Sequence, residues 1–333
     1  MAHNYIYNSI AASTRQTYSA GFNSYKLFAF TFGIVNSKSD STKQLLPPSI
    51  SSIALWITWL AGIKTLSFKT IKTYLAGLTA TIINSGFKDP VKDNIIIYQL
   101  LRGVKRTIGT QSKQIRLPIT ATIIRTMINR IPRHQQCYED KLLFAAASTG
   151  TFGLLRAGEF VQTDNNQAGL LTLAQLSLFN SHNTPINIHT ALGEELATAN
   201  YYVIHLIQSK VDPFRFGADI FVGNKTAVQA MIDYLILHPR RLIPTATLFT
   251  HHNDINLTRK QLMINIRHHL MECNVKDAHL YYGHSFRKGG AQTLKELGVD
   301  ASTIQLLGRW SSDAHMLYTT TPITTRLATS QRM

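Results

Sequence analysis

A chain of 333 residues, 44% hydrophobic and 16% charged, is long enough for two domains and apolar enough to bury sizeable cores. Its 34 Lys and Arg stand against 18 Asp and Glu, and the net charge of +16 points to a polyanionic partner, most simply nucleic acid. Two cysteines, Cys137 and Cys273, with no CxxC or Cys/His spacing, argue against a disulfide framework and a structural zinc. The strongest apolar stretch, about Ile53 to Ile63, is too short to span a bilayer. The opening MAHNYIYNSI lacks a basic start followed by an apolar run, so no signal peptide and an intracellular, reducing compartment are expected. His251-His252 and His268-His269 read as surface residues rather than ligands.

The first part predicts four helices. Ser13 or Thr14 caps one carrying Tyr18, Phe22, Tyr25, Phe28 and Phe32 at three-to-four spacing. Pro47 and Pro48 break the chain, and a second helix runs from Ser51 or Ser52 through Trp56, Trp59 and Leu60. A third starts near Ser67 and presents Ile71, Tyr74, Leu75, Leu78 and Ile82. A fourth follows Pro90 with Ile96, Leu100, Leu101 and Val104. Residues 1–115 hold 13 Lys and Arg against 3 Asp and Glu, a net of +10, leaving +6 for the remainder. That asymmetry suits a small basic clamp for backbone phosphates, with Lys69, Lys72, Lys105 and Arg106 as candidate contacts.

Residues 107–119, polar and aperiodic with Gly109 and Pro118, read as a linker between a domain at 1–106 and another at 120–333. Thr120 caps a helix with Ile123, Ile124, Met127 and Ile128, and Tyr138 to Ala147 forms the next, ending before Gly150. NYYVIHLIQ, residues 200–208, is β-branched and aromatic and predicts a strand. Residues 209–214 turn, and Ala218 to Val222 return. Helices resume at Thr226–Leu237 and Thr258–Met271. The fold class is therefore mainly α with a small antiparallel sheet.

Chemistry concentrates near the C-terminal end. His284 and Arg287 are three apart, which places them on one face of a helix. Such a pair offers charge and proton handling to an anion. Trp310 and Tyr318 fall in the next short helical segments, and a Tyr folding back beside the pair suggests a phenolic nucleophile attacking phosphorus. Arg156, with Glu159 three residues on, follows a buried-looking helix, and Lys210 sits at the hairpin turn. Each of these residues alone also fits a plain structural role.

Jointly, LLRAGE, SKVDPF at a hairpin, HSFR and LLGRWSSDAHMLY resemble the tyrosine recombinases, the phage integrase family. The motifs span about residues 145–320, and the wider organisation about 10–320. SKVDPFRFG and GRWSSDA are most similar to the recombinases of eukaryotic mobile elements of the DIRS and Crypton kinds. Trp310 and Tyr318 are eight apart, where many bacterial members have nine.

The resemblance implies a helical, SAM-like core-binding domain followed by an α+β catalytic domain. It implies that Arg156 and Arg287 clamp the non-bridging oxygens of a scissile phosphate and oppose charge in the pentavalent transition state. It makes Lys210 the general acid for the leaving 5′ oxygen, and Glu159 the residue that orients Arg156. His284 assists proton transfer or hydrogen-bonds the phosphate, and Trp310 packs on Tyr318 and donates its indole N–H. Tyr318 forms a 3′-phosphotyrosyl bond that conserves the energy of the broken strand. Neither a metal nor another cofactor enters. The implied partner is double-stranded DNA, gripped by a C-shaped clamp and by a homotetramer on paired sites. Without DNA the chain is expected to be a monomer or weak oligomer, and no membrane is involved. The expected location is the nucleus in a eukaryote, otherwise the cytoplasm or nucleoid. Two alternatives remain at this stage: a recombinase-derived DNA-binding protein that does not cut, and a topoisomerase of type IB chemistry.

Overall fold

The computed structural model describes residues 9–34, 45–109, 115–163, 170–207, 212 and 216–310. The chain forms two compact units, Met1–Gln114 and Ile115–Met333. None of the described helices is long and apolar enough to cross a membrane.

The first unit holds α1 (Ala12–Thr31), α2 (Ile50–Gly62), α3 (Phe68–Asn84) and α4 (Ile95–Ile108). Helix α3 starts beside Ser67 as the sequence predicts, and Ser67 caps it, its side chain accepting from Thr70 N–H. Other starts differ by a few residues. Helix α1 begins behind Ala11 with no side-chain cap, so Ser13 and Thr14 lie inside it, and Phe32 falls at its C-cap. Helix α2 begins at Ile50, just before the expected Ser51 or Ser52, and is capped by Ser49. A turn closed by Asp89 Oδ1 onto Val91 and Lys92 N–H delays α4 until Asn94 caps it. The core gathers Tyr25, Phe28, Ile53, Trp56, Ile71, Leu78 and Ile97. Tyr25 meets Trp56 edge-on at 5.5 Å and hydrogen-bonds Ser52 Oγ at 2.8 Å.

Helices α1 and α3 touch backbone to backbone through two glycines. A Cβ at Gly21 would lie 2.4 Å from the Tyr74 carbonyl oxygen, and one at Gly77 would lie 2.5 Å from that of Tyr18. Gly77→Ala is therefore expected to destabilise this unit by roughly 1–3 kcal/mol through overpacking. A calorimetric transition for the unit at the wild-type temperature would count against so close a crossing.

The second unit opens with residues 115–119, read from the sequence as linker. Leu117 N–H donates to Leu280 O at 3.1 Å, Ile119 N–H donates to Ser285 O at 2.9 Å, and Ile119 is fully buried. Thr120 then caps α5 (Ala121–Arg130). Helix α6 (Tyr138–Phe152) continues through Gly150 rather than ending before it. That glycine is needed for packing, since a Cβ there would lie 2.7 Å from Phe160 Cζ. The short α7 (Ala157–Phe160) follows.

The sheet has four antiparallel strands in the order β2-β1-β3-β4: β1 (Leu176–Asn180), β2 (Pro185–Ile186), β3 (Ala199–Leu206) and β4 (Ala218–Val222). Strands β3 and β4 are those read from the sequence, while β1 and β2 add a second hairpin. Between β3 and β4, Asp212 accepts Phe216 N–H at 3.0 Å and Gly217 N–H at 2.8 Å. The short α8 (Gly193–Leu196) precedes β3, and α9 (Lys225–Leu237) and α10 (Arg259–Glu272) follow β4. Helices α6 and α9, with β3, enclose one large core that includes Phe144, Tyr202, Tyr234 and Phe249. The last described elements are α11 (Ser285–Glu296) and α12 (Ala301–Leu307). His269 is buried against Phe144 rather than on the surface as expected from sequence, because it lies on the inner face of α10.

Candidate active site

Arg156 ends an irregular stretch between α6 and α7. Its backbone N–H donates to Glu159 Oε2, and its Nη1 to Glu159 Oε1, both at 2.8 Å. Glu159 is 9% exposed, and its Oε2 also accepts Arg309 Nη2 at 3.0 Å. One carboxylate therefore holds two guanidiniums. Arg309 was not singled out in the sequence; there it looks like a spacer between Gly308 and Trp310. Its signal was a cation directly behind a glycine at a helix end, within a string already thought chemical. Desolvation holds the Arg309 pKa below the usual arginine value, with Arg156 pushing the same way and Glu159 opposing.

His284 is the N-cap of α11 and is exposed, whereas Arg287, inside the first turn, is fully buried. The shared face read from their spacing is thus divided, because α11 begins only at Ser285. Neighbouring protein desolvates the imidazole although its edge meets solvent, and this holds its pKa below the ordinary histidine value. Arg116, Arg156, Arg287 and Arg259 add to that depression. The backbone before it presses on α7: a Cβ at Gly283 would lie 2.9 Å from Ala157 Cβ and 3.3 Å from Arg259 Cδ. Tyr282 lies under two further cations, Arg267 at 5.0 Å and Arg116 at 5.9 Å from the ring centroid.

Arg287 acts as a strut. Its Nη1 donates to Leu154 O at 3.0 Å and its Nη2 to Gly308 O. Those carbonyls sit two residues before Arg156 and one before Arg309. Leu154 and Arg309 both hold positive φ, 49° and 53°, a region that non-glycine residues rarely adopt. The buried guanidinium stabilises two strained turns and so fixes the arginines that follow them.

Trp310 lies beyond the end of α12 rather than in a helix. It is 8% exposed, packs with Leu154, Ala291 and Ile304, and places its ring 4.3 Å below the Arg287 guanidinium. Lys210 and Tyr318 lie outside the described residues. Lys69, Lys72, Lys105 and Arg106 are all exposed on the first unit. Lys105 leans over the Phe68 ring at 5.9 Å, and it and Arg106 occupy the last turn of α4, where cations favour the helix dipole. Among the described residues no group of three or more His, Cys, Asp or Glu side chains is placed to hold a metal ion.

No protein-family model matches this chain, and no curated protein matches it. Solved structures do. The XerH site-specific recombinase bound to palindromic difH substrate, a post-cleavage complex, is similar over 96% of this chain and 79% of that one, with a TM-score of 0.61 and 16% identity. The Tn1549 transposon integrase in complex with a circular intermediate DNA is similar over 93% of this chain and 99% of that one, with a TM-score of 0.51 and 14% identity. At such identities the likeness establishes the fold: a mostly helical chain with a small antiparallel sheet, arranged as in the tyrosine recombinases.

Proposed function

We propose that this chain is a site-specific DNA recombinase that breaks and rejoins strands through a 3′-phosphotyrosyl intermediate. The observation that carries the reading is the gathering of Arg116, Arg156, Arg287 and Arg259 around His284, with Arg309 joined to Arg156 through Glu159, on a fold used by DNA recombinases. Phosphoryl transfer needs little covalent help beyond a nucleophile and an acid, and much positive charge at fixed positions. In the proposed step, the Tyr318 oxygen bonds to phosphorus and the bond from phosphorus to the 5′ oxygen breaks. Lys210 protonates the departing oxygen, and His284 accepts the phenolic proton or hydrogen-bonds the phosphate. Arg156, fixed by Glu159, faces the non-bridging oxygens. Arg287 contributes its charge from below while holding both arginine-bearing turns. Trp310 supports it from beneath.

The partner on this reading is double-stranded DNA, engaged by a homotetramer on paired sites. SKVDPFRFG and GRWSSDA favour a recombinase of the DIRS or Crypton kind, serving a mobile element in a nucleus.

The test uses a nicked suicide duplex whose sequence the protein has itself selected from a randomised pool. Wild-type protein should become covalently attached to it. Arg156→Ala should attach roughly 10²–10³-fold more slowly, the usual cost of losing one preorganised donor at a developing oxyanion. Binding without attachment by the wild type would leave a DNA-binding descendant of a recombinase. Relaxation of supercoiled plasmid without strand exchange would point to a topoisomerase.

The first unit carries most of the charge excess, and its own core supports it as a separate body. A chain of residues 115–333 should bind duplex DNA more weakly than the whole, with a shallower dependence on salt, because fewer counterions are released. Filter binding across a salt series measures both. Equal slopes would remove the first unit from the role of clamp.

A further inference from the structure

Glu159 reaches Arg309 through a single bond, to Nη2. Its Oε1 serves Arg156 Nη1, and its Oε2 serves both the Arg156 backbone and Arg309 Nη2. The Nε and Nη1 donors of Arg309 are buried and meet no acceptor. A buried guanidinium left with open donors costs free energy, more so beside a second guanidinium. Arg309 is further held at a φ of 53°, which the Arg287 bond to Gly308 O maintains. Two arginines and one carboxylate leave an excess of one positive charge, before Arg287 is counted. Strain, open donors and uncompensated charge thus coincide at one side chain. An anion with several acceptor oxygens meets both the open donors and the uncompensated charge. The Arg309 side chain keeps 14% of its surface exposed while Nε and Nη1 are themselves covered, so an anion meets those two donors only when the guanidinium turns.

We infer that Arg309 is a phosphate-binding residue, a partner of Arg156 across the shared Glu159, whose guanidinium turns to bring its Nε and Nη1 donors to an oxygen of the bound phosphate. The inference deepens the recombinase reading by adding a residue to its phosphate site. It also separates two neighbours that the sequence made look alike: Arg309 faces the anion, and Trp310 lies beneath Arg287.

The experiment titrates the full-length protein with inorganic phosphate while following the Nε–H resonances of 15N-labelled arginine. Arg309→Lys assigns the Arg309 signal, with Arg309→Gln as a second route should the first variant fold poorly. The Arg309 resonance is expected to move saturably together with that of Arg156. Phosphate affinity should fall roughly tenfold or more in Arg309→Gln, as for loss of a charged hydrogen bond. An Arg309 resonance that stays still while that of Arg156 moves would overturn the inference, leaving Arg309 only as an anchor for Glu159. Equal phosphate affinity in wild type and Arg309→Gln would overturn it too, as would a titration that moves neither resonance. Phosphate binding needs no strand cleavage. A protein that binds phosphate through Arg309 yet forms no DNA adduct would therefore defeat the recombinase reading and leave this site standing.

Discussion

Tyr318→Phe is expected to abolish covalent attachment of DNA while leaving duplex affinity nearly unchanged. The proposed reaction has one nucleophilic oxygen, and the substitution removes that atom alone. An unassisted phenol has a pKa of about 10 and attacks poorly at neutral pH, so its position against clustered cations decides which tyrosine reacts. Other tyrosines are poor rivals. Tyr202 is fully buried on Thr149 Oγ1, and Tyr234 donates to the Leu248 carbonyl; burial pushes both hydroxyls upward in pKa. The strongest rival is Tyr282, two residues before His284 and flanked by Arg116 and Arg267. Attachment should persist in Tyr282→Phe and vanish in Tyr318→Phe, read as a protein band shifted by bound DNA on a denaturing gel. The reverse pattern would transfer the role to Tyr282.

Gly289→Ala should prevent the second unit from reaching its native packing. A Cβ there would lie 1.7 Å from the Ile119 carbonyl oxygen and 2.1 Å from its carbon. Both atoms are backbone, and Ile119 is itself pinned by its N–H to Ser285 O. On the opposite side, a Cβ at Gly290 would lie 2.1 Å from Thr151 O, so α11 has little room to retreat. Overpacking usually costs about 1–3 kcal/mol, and a clash between two fixed backbones belongs at or beyond the upper end. The expected result is a large fall in the unfolding midpoint of this unit, together with loss of DNA attachment, since α11 carries His284 and Arg287. A variant that unfolds at the wild-type temperature would mean that the helix does not lie so close to residue 119.

The legible parts of the sequence were those with long periodicity or strong chemistry at a boundary. The start near Ser67 and the cap Thr120 sit where the sequence places them, because each is a hydroxyl directly before an apolar-periodic run. Strand β4 has its predicted bounds, set by Gly217 at positive φ and by Asn224, which caps the following helix. Strands β1 and β2 escaped, being five and two residues long and too short for alternation to register. Gly150 misled because a glycine reads as a helix stop, whereas here it makes room for the Phe160 ring. At the site, Arg156, Glu159, His284 and Arg287 were visible as chemistry, but the inward turn of Arg287 was not. That orientation depends on where α11 begins and on carbonyls 133 and 21 residues away in sequence.

Those long separations bear on how the second unit comes into being during synthesis. Residues 115–121, the first of the unit to leave a ribosome, take several partners from residues 280–293. Ile119 bonds Ser285, and Ala121 N–H donates to Thr293 Oγ1, 172 positions later. Until α11 has emerged, the buried seat beside Ile119 stands open and its apolar lining faces water. The early helices gain local structure at once, yet the unit closes only when its tail meets its head, a contact whose loop entropy is among the largest the chain must overcome. The arginine cluster is assembled by that same closure, so a nascent chain has no phosphate site until the whole body around it is nearly finished.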